Sequence, residues 1–389
     1  MDWYVENHKR NEPARYITIN CSLAKTNPDK AWIDTIQNDS ADSVAQLQNL
    51  LDECESSASP YSFLKEKALL FSIRLERVLL FQVLLERDVD VEAMGATGNR
   101  ALHKACLQGN LFMVDKLLDG NTSPDIESKN DQGCTPLHLA SKGGHREVVE
   151  RLLSNKPVPA NVDAKIPSPE IDRKIPAGWT PLIFAASEGH SDTVQILLDH
   201  GASMTEKGGK EETPLLAAVQ NSKQRVVSVL LNADGFTKEV LEAEQSRDFS
   251  LLHTAAANGD KGIAELLIDK KFSTELRTSN GYTPLLVAAN SSKEQLIKLL
   301  LEKSANITAQ DSDDNNVIHL ACQGFEEEQL KRVLGMLLKY GADFYAKNKD
   351  GETGLYVSEA PFKGLNRHFM HSSKIDLFSS RCQSIKLSY

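Results

Sequence analysis

The residues of this chain best suited to chemistry are its histidines. The stretch Gly133-Cys-Thr-Pro-Leu-His-Leu-Ala-Ser-Lys-Gly-Gly-His145 poses the question they raise. His138 lies on a short helical pattern between two turn signals, and imidazole is the side chain that moves protons or holds metals near neutral pH. The stretch is not unique. His103, His253 and His319 stand where His138 stands, but other copies place Ile183, Leu216, Leu286 and Tyr356 there. No shared catalytic or metal role tolerates such replacements, so these histidines are expected to be structural.

The other sites of possible chemistry fail on composition or spacing. The chain has no Gly-x-Ser-x-Gly elbow, His-Glu-x-x-His pair or complete phosphate loop. Gly208-Gly209-Lys210 lacks the loop's first glycine and its final Ser or Thr. Asp311-Ser-Asp-Asp-Asn-Asn316 begins like a calcium loop, but its sixth residue is not glycine and its twelfth is Cys322, not glutamate. His368 and His371 are a pair without further ligands. The expectation is a non-enzyme with no catalytic residue, metal or cofactor.

Composition narrows the class. Hydrophobic residues at 41% and charged residues at 25% are those of a folded, water-exposed protein. A formal net charge of −10 disfavours nucleic acid as a partner, since phosphate binding needs a basic face. The N-terminus has no signal-like apolar core and no segment is apolar enough to insert in a membrane. A cytoplasmic location is expected, with a nuclear one open. The six cysteines are far apart and are expected to be free thiols.

The elements that position the histidines follow from the repetition. Aligned on Leu137, the pattern recurs at Leu102, Leu182, Leu215, Leu252, Leu285, Ile318 and, degraded, Leu355. Most copies continue into a second apolar block such as VVERLLSN or VQILLDHGA. Thr135 suits the cap of a first helix and Pro136 its first turn. Leu137 faces the core, Gly143 or Gly144 ends the helix, and Val148, Val149, Leu152 and Leu153 stripe a second one.

The base period near 33 with its T-P-L-H signature resembles the ankyrin repeat, over about residues 90–360. That resemblance implies a curved, all-α solenoid with short β-hairpin fingers, in which the recurrent imidazole ties finger to helix. The repeats are placed at approximately 97–129, 132–161, 177–206, 210–239, 248–277, 280–309, 314–347 and 350–361, within an array spanning 94–361. Residues 1–60 are an acidic segment, helical or disordered, and 61–93 an atypical helical cap. Residues 156–176 form a proline-rich loop holding Ser168-Pro169. Residues 233–247 extend a helix or add one, and 362–389 form a basic, serine-rich tail.

With no chemistry assigned, function is expected on the surface. The resemblance implies that partners bind the concave face of finger tips and first helices. The residue before the Thr-Pro position is Cys134, Trp179, Phe249 or Tyr282 in four of the copies. The aromatic three are the leading contact candidates, because binding hot spots are rich in aromatics; the competing reading packs them on neighbouring fingers. Glu188, Gln220 and Asn258, with Lys142, are candidates for a polar rim. Asp311, Asp313 and Asp314 make the later fingers acidic. The expected partner is a protein with an apolar patch and basic residues, bound by a scaffold or adaptor whose oligomeric state is left open. Two alternatives stand beside it: a substrate adaptor of a ubiquitin-ligase or signalling complex, and the regulatory ankyrin portion of a larger enzyme or ion channel.

Overall fold

A computed structural model of the chain describes residues 41–56, 62–87, 89–95, 97–120, 122–167 and 177–354. The first 40 residues, Ser168-Pro169 of the expected proline-rich loop, the part of the expected eighth repeat from Leu355 on and the basic tail with His368 and His371 lie outside the described residues. The chain divides into two units, Met1–Gly95 and Ala96–Tyr389.

In the first unit, α1 (Ala41–Ser56) and α2 (Ser62–Arg74) both pack on α3 (Val78–Leu85). The three share an apolar interior of Leu47, Leu51, Leu69, Ile73, Leu80, Phe81 and Leu84. Arg87 closes back on Asp52 at 2.7 Å.

The second unit is built from pairs of short helices. They are α4 (Ala101–Gln108) and α5 (Leu111–Asp119), α6 (Pro136–Gly143) and α7 (Arg146–Leu153), and α8 (Pro181–Glu188) and α9 (Ser191–Asp199). α10 (Pro214–Gln220) and α11 (Gln224–Asn232) follow, then the single α12 (Lys238–Gln245) made by the 233–247 insertion. The last pairs are α13 (Leu251–Asn258) and α14 (Lys261–Asp269), α15 (Pro284–Asn290) and α16 (Glu294–Glu302), and α17 (Val317–Gly324) and α18 (Glu327–Lys339). First helices pack on first helices and second on second along the series.

Local chemistry sets where each helix starts and stops. Prolines 136, 181, 214 and 284 occupy the first turn, where no amide is needed and φ is already helical. Gly144 stops α6 at φ 71, left-handed, with the ring of His190 against its Cα, so a side chain there is excluded by strain and by space. Leu137, Ala140, Val148, Val149 and Leu152 of one pair are buried against equivalents in the next, and the alanines let first helices approach closely. A single pair has no other place to bury this stripe.

The fingers are tighter than the expected hairpins. Among the described residues, antiparallel pairing is reduced to single bridges, Gln310 with Asn316 and Lys347 with Thr353. Side chains close the turns instead: Asn130 Oδ1 accepts from the amides of Gln132 and Cys134, and Asp311 Oδ1 from those of Asp313 and Asn315. Each turn is thus too short to develop a ladder.

Candidate functional site

The recurrent histidines form one device used four times. In each, Nδ1 accepts the backbone N–H of the helix-capping residue: Arg100 to His103, Thr135 to His138, Ser250 to His253 and Asn316 to His319, at 3.2–3.4 Å. In His103, His138 and His253 this places the proton on Nε2, which donates to a carbonyl of the next finger; His319 Nε2 faces the equivalent carbonyl while its Nδ1 also lies 2.7 Å from Asn316 Oδ1. The acceptors are Cys134 at 3.1 Å, Trp179 at 3.2 Å, Tyr282 at 2.9 Å and Glu352 at 3.0 Å. All four rings are buried. Burial pushes His103 and His138 down to about 4, and lowers His253 in the same direction. All four imidazoles are connectors with both nitrogens engaged, and burial keeps those of His103, His138 and His253 neutral.

Where the histidine is replaced, the threonine takes over the cap. Thr180, Thr213 and Thr283 accept from the amides of Ile183, Leu216 and Leu286. Their junctions must be held in another way. The third finger is joined to the fourth by Gly209 N–H to Ala177 O at 2.6 Å, and the sixth to the seventh by Ser312 N–H to Asn280 O at 2.9 Å.

The finger residues expected to make contacts divide by burial. Trp179 is half-buried, edge-on to Phe184 with centroids 5.0 Å apart, and packs on a cluster of Cys134, Leu139, Ile166 and Phe184. Tyr282 is half-buried and close to Asp311 of the next finger; burial, then that carboxylate, raises its phenol. Phe249 is 45% exposed, with its ring centroid 5.3 Å from that of His253.

Two candidates are corrected. Cys134 is fully buried beneath the finger, where desolvation pushes its thiol up to about 11, so it offers no contact surface. Asp311 is buried and its carboxylate closes its own turn, whereas Asp313 and Asp314 are exposed.

The rim residues Lys142, Glu188, Gln220 and Asn258 are exposed at the ends of first helices. They are not equivalent. Asn258 Nδ2 donates to the carbonyls of Val219 and Gln220, and Lys142 Nζ lies 5.9 Å from the Phe184 ring centroid. Among the described residues, no three His, Cys, Asp or Glu side chains are grouped to hold a metal, and no helix is long and apolar enough to cross a membrane.

Sequence reasoning missed two residues. Phe184 decides which finger aromatic is covered. Glu244 of α12 is buried, accepts from Thr213 Oγ1 at 2.6 Å and pairs with Arg247 Nε at 2.8 Å. Phe184 was legible as a bulky residue five after Trp179; Glu244 carried no signal, lying in an insertion outside the period.

A family model described as ankyrin repeats (3 copies) matches residues 69–166, 159–242 and 252–348. The chain is 32% identical over 118 residues to a probable serine/threonine-protein kinase of Dictyostelium discoideum, covering 29% of this chain and 14% of the kinase. It is 28% identical over 189 residues to a transient receptor potential cation channel subfamily A member 1 homolog of Caenorhabditis elegans, covering 48% of this chain and 15% of the channel. A match of 33% over 90 residues to an ankyrin repeat, SAM and basic leucine zipper domain-containing protein 1 of Mustela putorius furo covers 23% of this chain and 19% of that protein. The chain thus spans less than a fifth of each of these relatives.

Proposed function

Because the chain belongs to the ankyrin repeat family, whose repeats are non-catalytic interaction modules, we propose that it is a scaffold or adaptor that binds a partner protein on its finger and first-helix face. The observation that carries this reading is Phe249. A 45% exposed phenylalanine on a finger tip costs hydration free energy in the unbound chain and returns it on contact. Tyr282 beside it adds a half-exposed ring, and Asp313 and Asp314 set an acidic margin that favours basic residues in the partner. The internally bonded His138 and the raised Cys134 thiol are not activated as base or nucleophile.

Short coverage of long relatives favours a second reading. The matched portions are 14% of a kinase and 15% of a channel, so the array also suits a regulatory portion of a larger protein. Both readings make the same surface the working part. The test is crosslinked capture of partners by the full chain and by Phe249→Ala and Tyr282→Ala variants. Loss of specific partners with unfolding midpoints unchanged supports the proposal. Identical capture by all three chains refutes it.

A further inference from the structure

The junctions between fingers are not alike. Counting fingers from residue 97, the first and second, second and third, fifth and sixth, and seventh and eighth are tied by a buried histidine. The third and fourth, and the sixth and seventh, are tied by a backbone N–H to carbonyl bond. Between the fourth and fifth neither tie exists among the described residues: Leu216 stands in the histidine position, and no hydrogen bond joins residues 207–213 to residues 248–250. The helix α12 intervenes there, and the two fingers are linked only indirectly, through its Glu244, which accepts from Thr213 Oγ1 and pairs with Arg247 just before the fifth finger. Phe249, the exposed finger aromatic, stands on the far side of the same seam.

The charge beyond the seam is predominantly acidic. Fingers five to seven carry Asp248, Asp313 and Asp314 on exposed positions. Of their arginines, Arg247 is paired with Glu244, whereas Arg277 donates to the carbonyls of Gly281 and Gln310 and keeps its positive charge, so the margin is acidic on balance only. Asp248 holds the Ser279 amide and keeps its carboxylate at the surface. Successive helices pack about 8–10 Å apart, so a chain crossing two repeats needs about six extended residues.

Resting on the scaffold reading, we propose that the seam between fingers four and five is where the partner seats. Its occupant is an extended basic segment of another protein. One apolar side chain enters the seam beside Phe249, and lysine or arginine groups follow Asp248, Asp313 and Asp314. Two independent observations meet at this place: the seam is the junction with no direct finger-to-finger hydrogen bond among the described residues, and it is flanked by the exposed ring.

Leu216→Histidine substitution (L216H) tests this on the full chain. It places an imidazole between Thr213 N–H and the Phe249 carbonyl, as His138 bridges Thr135 and Trp179. The control is L286H, at a junction already tied by Ser312. Hydrogen exchange reads the seam, and titration with a decapeptide of alternating arginine and leucine reads the site, against a glutamate–leucine peptide. The expected result is that L216H slows exchange at residues 248–250 by about tenfold or more and weakens the basic peptide by about tenfold, with L286H near wild type. F249S, at an exposed position that folding tolerates, weakens the peptide equally.

No preference for the basic peptide, or a preference indifferent to both L216H and F249S, overturns the proposal. A seam that exchanges as slowly as its neighbours in the wild type, with Phe249-dependent partner capture intact, overturns the seam and leaves the scaffold reading standing. Zero-length cross-links from Lys374 to Asp313 or Asp314 within one chain would make residues 362–389 the occupant and overturn a separate partner.

Discussion

The Nε2 of His138 lies 3.2 Å from the carbonyl oxygen of Trp179, across 41 residues of chain, while its Nδ1 accepts the N–H of Thr135 at 3.2 Å. One ring joins the cap of its own helix to the finger of the next repeat. The first prediction follows from which groups lose a partner. His138→Ala leaves a buried carbonyl and a buried amide unpaired, at about 1–3 kcal/mol for each. His138→Leu keeps the packing volume, and Thr135 can serve as Thr180 does beside Ile183, so it costs less. Denaturant midpoints that rank alanine as no worse than leucine would contradict this.

Acid should loosen the array before it affects most carboxylates. His103 and His138 have folded values of about 4, against about 6.5 when unfolded. Below pH 6.5 the unfolded chain binds protons that the folded chain refuses, so stability is complete above that pH and falls as pH drops toward 4. Each histidine adds up to about 1.4 kcal/mol per pH unit to the slope within this window. His253 adds in the same direction. Unfolding midpoints at pH 7 and pH 5 measure it, and the His138→Leu chain should show the smaller difference. Equal midpoints in wild type would show that the rings are not buried neutral.

Trp179 and Phe249 should separate in a stability measurement. Trp179→Ala empties a site shared with Phe184 and should cost about 2–4 kcal/mol, in the range of large-to-small changes in packed clusters. Phe249→Ala removes a ring that is largely in water and should stay within about 0.5 kcal/mol of wild type. Thermal unfolding distinguishes them; comparable losses would mean that Phe249 is covered in solution.

The sequence made the helix pairs legible because their signals are local. Thr135-Pro136 starts a helix and Gly144 ends it by geometry that needs no distant residue. Exposure of the finger aromatics was not legible by the same means, since it depends on what lies five residues on. Trp179 meets Phe184, whereas Tyr282 and Phe249 have Val287 and Thr254 at that place. Cys134 was misplaced for a related reason: the residue type at this position does not by itself set exposure, since Glu212 in the same place is buried as well. The untied seam depends on Leu216 together with an insertion outside the repeat, and no periodic pattern reports such a coincidence.

Glu244 is the remaining place where a single change should have a local effect. Its side chain is 4% exposed, its partner Arg247 is 17% exposed, and Thr213 donates to its other oxygen. Removing one member of such a group leaves the others buried without a partner, which costs more than the pair contributed. Glu244→Ala should therefore destabilise the array by about 3–5 kcal/mol. Glu244→Gln keeps the acceptor for Thr213 and should lose only part of that. Thr213→Val removes the hydroxyl that both caps α10 and reaches α12, and should fall between the two. Because the seam has no other tie, the loss should appear first as faster hydrogen exchange in residues 207–213, ahead of residues 130–135, where His103 still holds the junction. Uniform acceleration along the whole array would show instead that α12 supports every repeat equally, and that the fourth finger is not held separately.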